Sequence, residues 1–535
     1  MSSLMILVLS IFAFLVAYVT YGSWLAKQWG VDPKEVTPAH TMEDGIDYVP
    51  AKAPILLGHH FASIAGAGPI TGPIQAAVFG WLPVLLWIVI GGIFFGGVQD
   101  FSSIVVSIKH GGKTLGEVIE EYIGHKCKVL FTTFAWLVIL LVIAAFADIV
   151  ASTFQGYTVA ADGTKTYIQA NGSVATASIL FIPLAVAFGF LVYRKNAPLV
   201  ISSVAGVALL VLCIYVGLKF PIYLSKNFWL GFVFVYIIVA SVTPVWILLQ
   251  PRDYLNSFLL YFMILAAFIG VVFTNPTINL PSFTGMKNSF NGQFVFPYLF
   301  ITVACGAISG FHATQSPLMA RCMRTEKEGR RVFYGAMIAE GIIALVWAAA
   351  AMSFFGGTEG LAQAGTPGVI VSTISNSILG KVGGALAILG VVACPITSGD
   401  TAFRSARLTI ADALKYKQGP IINRFMVAIP LFVVGVALCF INFTIIWRYF
   451  AWSNQALATI ALWAGAAYLA REGKNHWIAS IPGTFMTAVI TTYILVAPEG
   501  LRLPESIGYP AGVVAAVLAI GLFLKTKWVG KPINL

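Results

Sequence analysis

Long apolar runs alternate with short polar loops along almost the whole chain. Each run is about 20 residues long, which is the length that a helix needs to cross the hydrocarbon core of a membrane. Uninterrupted runs lie near residues 4–26, 80–106, 129–151, 176–193, 197–218, 227–249, 255–274, 333–355, 383–402, 423–441, 446–470, 476–496 and 509–525. Together with two interrupted segments, 55–75 and 295–317, they predict an all-α polytopic membrane protein with about 15 transmembrane segments.

Composition agrees with this pattern and argues against other classes of protein. Of the 535 residues, 59% are hydrophobic and only 10% are charged, whereas a soluble protein carries about 25% charged residues. A membrane β-barrel would show alternating segments of about 10 residues rather than long apolar runs. No lysine or arginine precedes the first run, so we expect a retained span there rather than a cleaved signal peptide.

The positive charges predict how the chain is oriented in the membrane. The net charge is +11, and the lysines and arginines concentrate in every second loop. If the N-terminus is outside, 25 of the 32 basic residues lie on the cytoplasmic side, as the positive-inside rule requires. The remaining seven are Lys165, Lys219, Lys226, Lys287, Lys381, Arg448 and Arg502. We therefore expect an outside N-terminus and a cytoplasmic C-terminus, and the charge needs no nucleic-acid partner to explain it.

The two interrupted segments indicate broken helices. Glycine and proline interrupt the stretch PILLGHHFASIAGAGPITGP (54–73), and the stretch ACGAISGFHATQSP (304–317) partly repeats it. At a spacing of 244 residues the matching positions are Ile64 with Ile308, Gly66 with Gly310 and Pro73 with Pro317. Breaks at membrane depth free backbone groups and are typical of the binding sites of transporters.

The predicted topology passes the two broken helices through the membrane in opposite directions, which indicates an inverted repeat. Residues 55–218 and 295–470 would then be two repeats of five spans each. Residues 1–54 would add a helix and a loop, 219–294 an inserted helix pair, and 471–535 two C-terminal helices. All of these parts are expected to form one transmembrane domain.

Several long blocks resemble the carbon starvation protein A (CstA) family. The blocks are GIDYVPAKAPILLGHHFASIAGAGPITGPIQAAVFGWLP, VQDFSS, TPVWILLQPRDYLNSFLLY, SGFHATQSP, SGDTAFRSAR and WRYFAWSNQALA. Members of that family are bacterial inner-membrane proteins associated with peptide uptake, and a related branch carries pyruvate with protons. The resemblance implies the LeuT-type fold, a five-plus-five inverted repeat with discontinuous helices, and a role in the response to carbon starvation.

Candidate substrate-binding residues lie at the two breaks. The N-terminus of a half-helix carries a partial positive charge and free amides, so it can hold a carboxylate. We therefore predict substrate contacts from Gly66, Ala67, Gly68, Ser309, Gly310, Phe311 and His312. The alternative for the glycines is close packing of helices, and the alternative for His312 is simple burial in the core.

Candidate coupling residues are polar groups inside apolar segments. They are His59, His60, Asp100, Thr397, Ser398 and Asp400. Histidine titrates near neutral pH, and a charge at the centre of a bilayer costs at least ~3 kcal/mol, so the histidines and acids suit a proton pathway. In LeuT-like carriers the equivalent helix supplies hydroxyls to a sodium site and faces the first broken helix, and Thr397 and Ser398 resemble that pair.

Structural explanations exist for each of these residues. His59 and His60 could be interfacial residues or metal ligands rather than a proton relay. Asp400 could form a salt bridge with Arg404 one helical turn further on. Glu340 lies inside an apolar run and suits a functional and a structural role equally.

The segment LLQPRDYL (248–255) predicts a gate. It places Gln250, Arg252 and Asp253 in a tight cytoplasmic turn between two spans. A hinge or an inner gate is a better explanation there than a binding site.

Motifs for enzymatic chemistry are missing from the sequence. It contains no GxSxG, HExxH or P-loop pattern, and its six cysteines have no CxxC spacing. We therefore expect no catalytic residues, no metal site and no cofactor beyond a coupling ion. The prediction is a secondary active transporter that imports short peptides or pyruvate-like carboxylates with protons. The alternatives are a sodium-coupled carrier of the same substrates, and a channel or nutrient sensor without coupled transport.

Overall fold

The computed structural model describes most of the chain. The described residues are 2–160, 162–274, 277–288, 292–355 and 397–529, with the single positions 357, 360, 370, 373, 374 and 377. This part of the chain is mostly helical, as predicted. Lys381 and residues 383–396 of the predicted span 383–402 lie outside the described residues.

The helices follow one another with short connections. Those of the first half are α1 (Ser3–Val19), α2 (Tyr21–Gln28), α3 (Pro38–Thr41), α4 (Ala53–Ile64), α5 (Gly68–Ala76), α6 (Trp81–Leu86), α7 (Gly97–Lys109), α8 (Leu115–Tyr122), α9 (His125–Phe154), α10 (Gln169–Gly189) and α11 (Leu199–Lys219). Those of the second half are α12 (Lys226–Val242), α13 (Leu249–Thr274), α14 (Val295–Thr302), α15 (Gly310–Ala320), α16 (Gly335–Phe354), α17 (397–413), α18 (Ile421–Leu438), α19 (Phe443–Arg471), α20 (Trp477–Val496) and α21 (Glu505–Val529).

Shorter elements adjoin or connect these helices. Wider π-helical turns extend α7, α10 and α16 at Trp87–Gly96, Phe190–Arg194 and Arg330–Tyr334. Strands β1 (Tyr157–Val159) and β2 (Lys165–Tyr167) pair antiparallel in the loop between α9 and α10.

The lengths and composition of the helices identify a multi-pass membrane protein. Within the described residues, ten helices are long and apolar enough to cross a membrane. Helix α12 is apolar but has only 17 residues, and each half of a broken helix is shorter still. The predicted total of fifteen spans and the five-plus-five repeat stay predictions.

Both interrupted segments are broken helices, as predicted. The first helix stops at Ile64 and resumes at Gly68, and the second stops at Thr302 and resumes at Gly310. The first break packs inside the molecule because α4 lies along α13 and α5 lies along α16. Helix α15 of the second segment lies against α7 and α19. Helix α7, which carries the predicted coupling residue Asp100, therefore lies beside the second broken helix.

The segment 248–255 differs from its prediction as a cytoplasmic turn. The chain turns earlier, over residues 243–248, and α13 already begins at Leu249. Gln250, Arg252 and Asp253 consequently lie in the first two turns of α13 and are buried. They are covered because α13 packs along α4, so any gate that they form would be inside the protein.

Gly310 begins α15 at a point where a side chain has no room. A Cβ atom there would lie 2.3 Å from the carbonyl oxygen of Asn454 and 2.5 Å from the amide nitrogen of Ala458. Because backbone atoms must move to admit it, we expect Gly310→Ala to destabilise the protein by about 1–3 kcal/mol. Melting of the purified protein in detergent measures this effect. Gly231→Ala on α12, where a Cβ meets nothing within 4 Å, is the control, and equal melting of the two variants would contradict the close approach.

Candidate functional site

Hydroxyl groups of α17 satisfy the backbone at the first break. The last carbonyls of a helix have no partner inside that helix. At the end of α4, the carbonyl of Ala62 accepts a hydrogen bond from Thr397 Oγ1 (2.8 Å), and the carbonyl of Ser63 accepts one from Ser398 Oγ (2.6 Å). The two hydroxyls therefore face the first broken helix, which is where the sequence analysis placed them.

Side chains of α19 likewise form hydrogen bonds with the backbone at the second break. Gln455 donates to the carbonyl of Phe300 in α14 (3.1 Å). Asn454 accepts a hydrogen bond from the amide of Phe311 (2.8 Å) and donates to the hydroxyl of Ser309 (3.1 Å). The amide at the start of α15, which was predicted to contact a substrate carboxylate, is therefore occupied by a side chain of the protein.

The predicted substrate residues of the first break are tightly packed. A Cβ on Gly66 would meet Phe146 and Ser398 at 3.0 Å, and one on Gly68 would lie 2.4 Å from the sulfur of Cys305. Ala67 is 5% exposed. Gly68 allows close packing between the two broken helices, and Gly66 allows close packing against α9 and α17. Their predicted contact with a substrate stays a prediction.

A first buried ionic cluster joins α4, α12, α13 and α17. Its centre is Asp253, whose Oδ2 lies 2.6 Å from Nδ1 of His59 and accepts a hydrogen bond from Ser63 Oγ (3.2 Å). The hydroxyl of Thr401 lies 3.3 Å from the same oxygen and 3.4 Å from Oδ1 of Asp400. We call this set, with Arg252 and Tyr236, the Asp253 cluster.

The second half of the Asp253 cluster is an ion pair between α13 and α17. Nη1 of Arg252 lies 2.6 Å from Oδ2 of Asp400, and it also donates to the hydroxyl of Tyr236 (2.5 Å). Tyr236 in turn donates to Oδ2 of Asp400 (2.9 Å). Asp400 does form a salt bridge, as in the structural alternative, but with Arg252 rather than with Arg404, which is held by Asp47 at 2.6 Å.

A second buried cluster joins α7, α15 and α16 and is called the His312 cluster. Nδ1 of His312 lies 2.8 Å from Oδ2 of Asp100, and Nε2 lies 3.3 Å from Oε2 of Glu340 without hydrogen-bond geometry. All three side chains are fully buried. Asp100 is thus at the centre of the protein, and Glu340 has an ionic partner that its sequence position does not reveal.

The adjacent histidines of α4 contact different clusters. His59 contacts the Asp253 cluster, whereas the ring of His60 stacks on Phe333 with centroids 3.8 Å apart. The ring centroids of His60 and His312 are 6.5 Å apart, and neither ring nitrogen of His60 has a hydrogen-bond partner within the described chain. Both histidines are buried inside the protein. Among the described residues, no group of three or more histidines, cysteines or acids is arranged to hold a metal ion.

Sequence reasoning missed several members of these clusters. Tyr236 lies in an apolar helix, where a tyrosine is not by itself a signal of function. Ser63 and Thr401 are hydroxyl residues of the kind that usually satisfy their own backbone. A weak signal existed for two of them. Ser63 follows His59 by four residues, and Thr401 directly follows Asp400, so each is close to a predicted coupling residue on its helix.

Comparison with known families identifies the chain. A family model described as carbon starvation protein CstA matches residues 2–356 and 347–493. The chain belongs to the CstA family. The family-specific resemblance of the sequence blocks is thereby confirmed.

Relatives of this CstA-family chain are named as transporters. The peptide transporter CstA of Campylobacter jejuni is 30% identical over 96% of this chain and 83% of its own length. The peptide transporter CstA of Bacillus subtilis is 28% identical over 97% and 95% of the two chains. The pyruvate/proton symporter BtsT of Escherichia coli is 35% identical over 64% of this chain and 48% of its own length. These names agree with the expectation that the chain is a transporter and not an enzyme.

Solved structures show a looser similarity. MhsT in complex with L-phenylalanine covers 90% of this CstA-family chain with 12% identity and a TM-score of 0.49. A Na+-coupled sialic acid symporter covers 97% of it with 13% identity and a TM-score of 0.45.

Proposed function

We propose that the chain is a secondary active transporter that imports short peptides or pyruvate-like carboxylates with protons. Relatives carry the names peptide transporter and pyruvate/proton symporter, and both substrates carry a carboxylate. The family resemblance supports a bacterial inner-membrane location, and the distribution of basic residues supports an outside N-terminus. The proposal includes a role in carbon starvation, as the family name suggests, and needs no cofactor other than the coupling ion.

The observation that carries the proposal is the pair of buried clusters on the two broken helices. His59 belongs to the first broken helix and His312 to the second, and each contacts buried acids on neighbouring helices. Burying charges in a membrane is costly, so groups of this kind usually serve transport. His60 follows His59 along α4 and its ring centroid is 6.5 Å from that of His312, which makes it the candidate link between the two clusters.

Sodium is the second candidate for the coupling ion. Thr397 and Ser398 place two hydroxyl oxygens beside the carbonyl oxygens of Ala62 and Ser63. Hydroxyl and carbonyl oxygens suit a hard cation. A sodium ion would have to replace the two direct hydrogen bonds, whereas the acids and histidines accept protons as they stand.

Uptake into liposomes that contain the purified protein tests the proposal. Labelled pyruvate and labelled alanyl-alanine are supplied outside, with an inward gradient of either protons or sodium. We expect one of the two substrates to accumulate above its external concentration with the proton gradient and only to equilibrate with the sodium gradient. Accumulation with sodium alone would favour the second candidate. Equilibration under every gradient would favour a channel, and the absence of uptake would contradict the proposed function.

A further inference from the structure

A small cavity lies between α9, α10 and α12, next to the Asp253 cluster. Its wall is mostly apolar and includes Phe146, Val150, Ile179 and Val233, whereas Tyr236 and Arg252 stand at its polar end. The cavity measures about 20 Å³, which is roughly the room that one water molecule needs. A carboxylate group is larger than one water molecule, so a substrate would enter only as the lining helices separate, as transport requires. The cavity adjoins the first break, because Phe146 in its wall is also the residue that a Cβ on Gly66 would meet at 3.0 Å.

Arg252, which borders this cavity, has a guanidinium N–H group without a hydrogen-bond partner in the described chain. Its Nη1 makes both of the hydrogen bonds to Asp400 and Tyr236, while its buried Nε has no partner within the described chain. The side chain is only 4% exposed, so water does not readily satisfy that N–H group. A guanidinium group binds a carboxylate best through two parallel N–H groups. The edge that carries Nε is therefore free for a second carboxylate.

We propose that Arg252 binds the carboxylate of the transported substrate through this free edge, with the apolar cavity holding the adjoining carbon atoms. The inference rests on the proposed function and specifies its site. The ligand class is a small monocarboxylate, or a peptide through its C-terminus. The substrate carboxylate would then be bound beside the first break, and Arg252, which was predicted as part of a gate, would be a binding residue.

Charge balance connects this site to the coupling ion. Arg252 already compensates Asp400, so a second carboxylate brings an uncompensated negative charge into a buried region. Uptake of one proton by the cluster restores the balance and couples one proton to one substrate. The titratable and charged groups around Asp400 are Arg252, Tyr236, Asp253 and His59.

Substitution of Arg252 by lysine tests the site by ligand binding. Lysine keeps the positive charge beside Asp400 but lacks the planar fork. The probes are pyruvate with pyruvamide, and alanyl-alanine with its C-terminal amide, titrated calorimetrically into purified protein in detergent. We expect Arg252→Lys to weaken binding of the carboxylate probe by at least about 30-fold. Binding of the corresponding amide should weaken by less than threefold, roughly the variation expected from a substitution that does not touch the ligand. Equal weakening of both probes, or of neither, would overturn the inference.

A second pair of variants tests the cavity without changing a charge. Val233→Trp places a large ring in the cavity, whereas Val235→Trp, two residues away on α12, points to the surface, where Val235 is 61% exposed. We expect Val233→Trp to raise KM for uptake roughly tenfold or more, because it removes space from the site, and Val235→Trp to leave KM unchanged. If the wild type accumulates substrate and Val233→Trp has an unchanged KM, the proposed site is overturned but the proposed function stands. A wild type that accumulates neither substrate would overturn both.

Discussion

Replacing Asp100 with asparagine is expected to lower proton-driven uptake by at least about 100-fold, the scale on which loss of a proton-transfer group slows a reaction. Asparagine has the shape of aspartate but neither carries a charge nor exchanges a proton. His312 would lose its 2.8 Å partner and keep only Glu340. The measurement is uptake of labelled substrate into liposomes with an inward proton gradient.

Two further measurements distinguish a coupling defect from damage to the fold. Exchange of labelled for unlabelled substrate at equal pH on both sides needs no net proton movement, so Asp100→Asn should retain it. Asp148→Asn is the matched control, because Asp148 pairs with Lys226 at 2.7 Å but is 26% exposed, and such pairs contribute little. If both variants accumulate substrate like the wild type, the His312 cluster has no role in coupling.

Replacing Asp47 with asparagine is expected to destabilise the protein by about 3–5 kcal/mol, since it leaves two buried guanidinium groups without their counter-ion. Oδ1 of Asp47 lies 2.6 Å from Nη1 of Arg404 and 3.1 Å from Nη2 of Arg407, and both arginines are fully buried. This contact ties the loop before α4 to α17. A lower melting temperature in detergent, compared with that of Asp32→Asn in an exposed part of the same loop, measures the effect.

The pH dependence of this contact follows from the pKa of Asp47. Burial raises the pKa of this carboxyl, but Arg407 and Arg404 outweigh burial and hold it well below its usual range. A carboxyl with a lowered folded-state pKa stabilises the protein above its unfolded pKa of about 4 and loses that contribution as the pH falls through the folded value. The wild type should thus exceed Asp47→Asn in stability by a constant amount from pH 5 to 8, which is about one unit or more above the unfolded pKa. This difference should shrink in stronger acid.

A native cysteine reports whether the loop is released. The amide of Ala51 donates to the carbonyl of Cys322 (2.9 Å), and the thiol of Cys322 donates to the carbonyl of Asp47. Cys322 is fully buried, so a maleimide should label it slowly in the wild type and faster in Asp47→Asn. Cys322→Ser identifies the labelled thiol. An unchanged labelling rate together with unchanged melting would show that the ion pair does not hold the loop.

The interrupted segments illustrate what local sequence information contains. Glycine and proline break a helix wherever they occur, so the breaks near Gly66 and Gly310 follow from the residues themselves. The same holds for the apolar runs, whose length and composition predict membrane helices without knowledge of their neighbours. Thr397 and Ser398 were placed correctly opposite the first break, although that placement came from family resemblance rather than from periodicity.

Pairings between distant residues illustrate what local information lacks. Asp400 and Arg404 are neighbours by helical spacing, yet Asp400 pairs with Arg252 and Arg404 pairs with Asp47. The helical rule for residues four apart describes an isolated, solvated helix, where a pair contributes about 0.2–0.5 kcal/mol. Inside a protein, leaving a buried charge without a partner costs about 3–5 kcal/mol, which is far more than the helical pair contributes. Tertiary partners therefore decide which pairs form.

The sequence by itself determined that this chain is a helical membrane protein, where its helices break, and which residues are costly enough in a membrane to suggest function. These properties depend on composition and spacing along the chain. Only the tertiary structure decided that His59 and His60 have different surroundings. It also decided that Asn454 and Gln455 form hydrogen bonds with the backbone at the second break, and that Arg252 borders a cavity. Those contacts depend on how helices far apart in the sequence pack together, and packing is set by the whole chain at once.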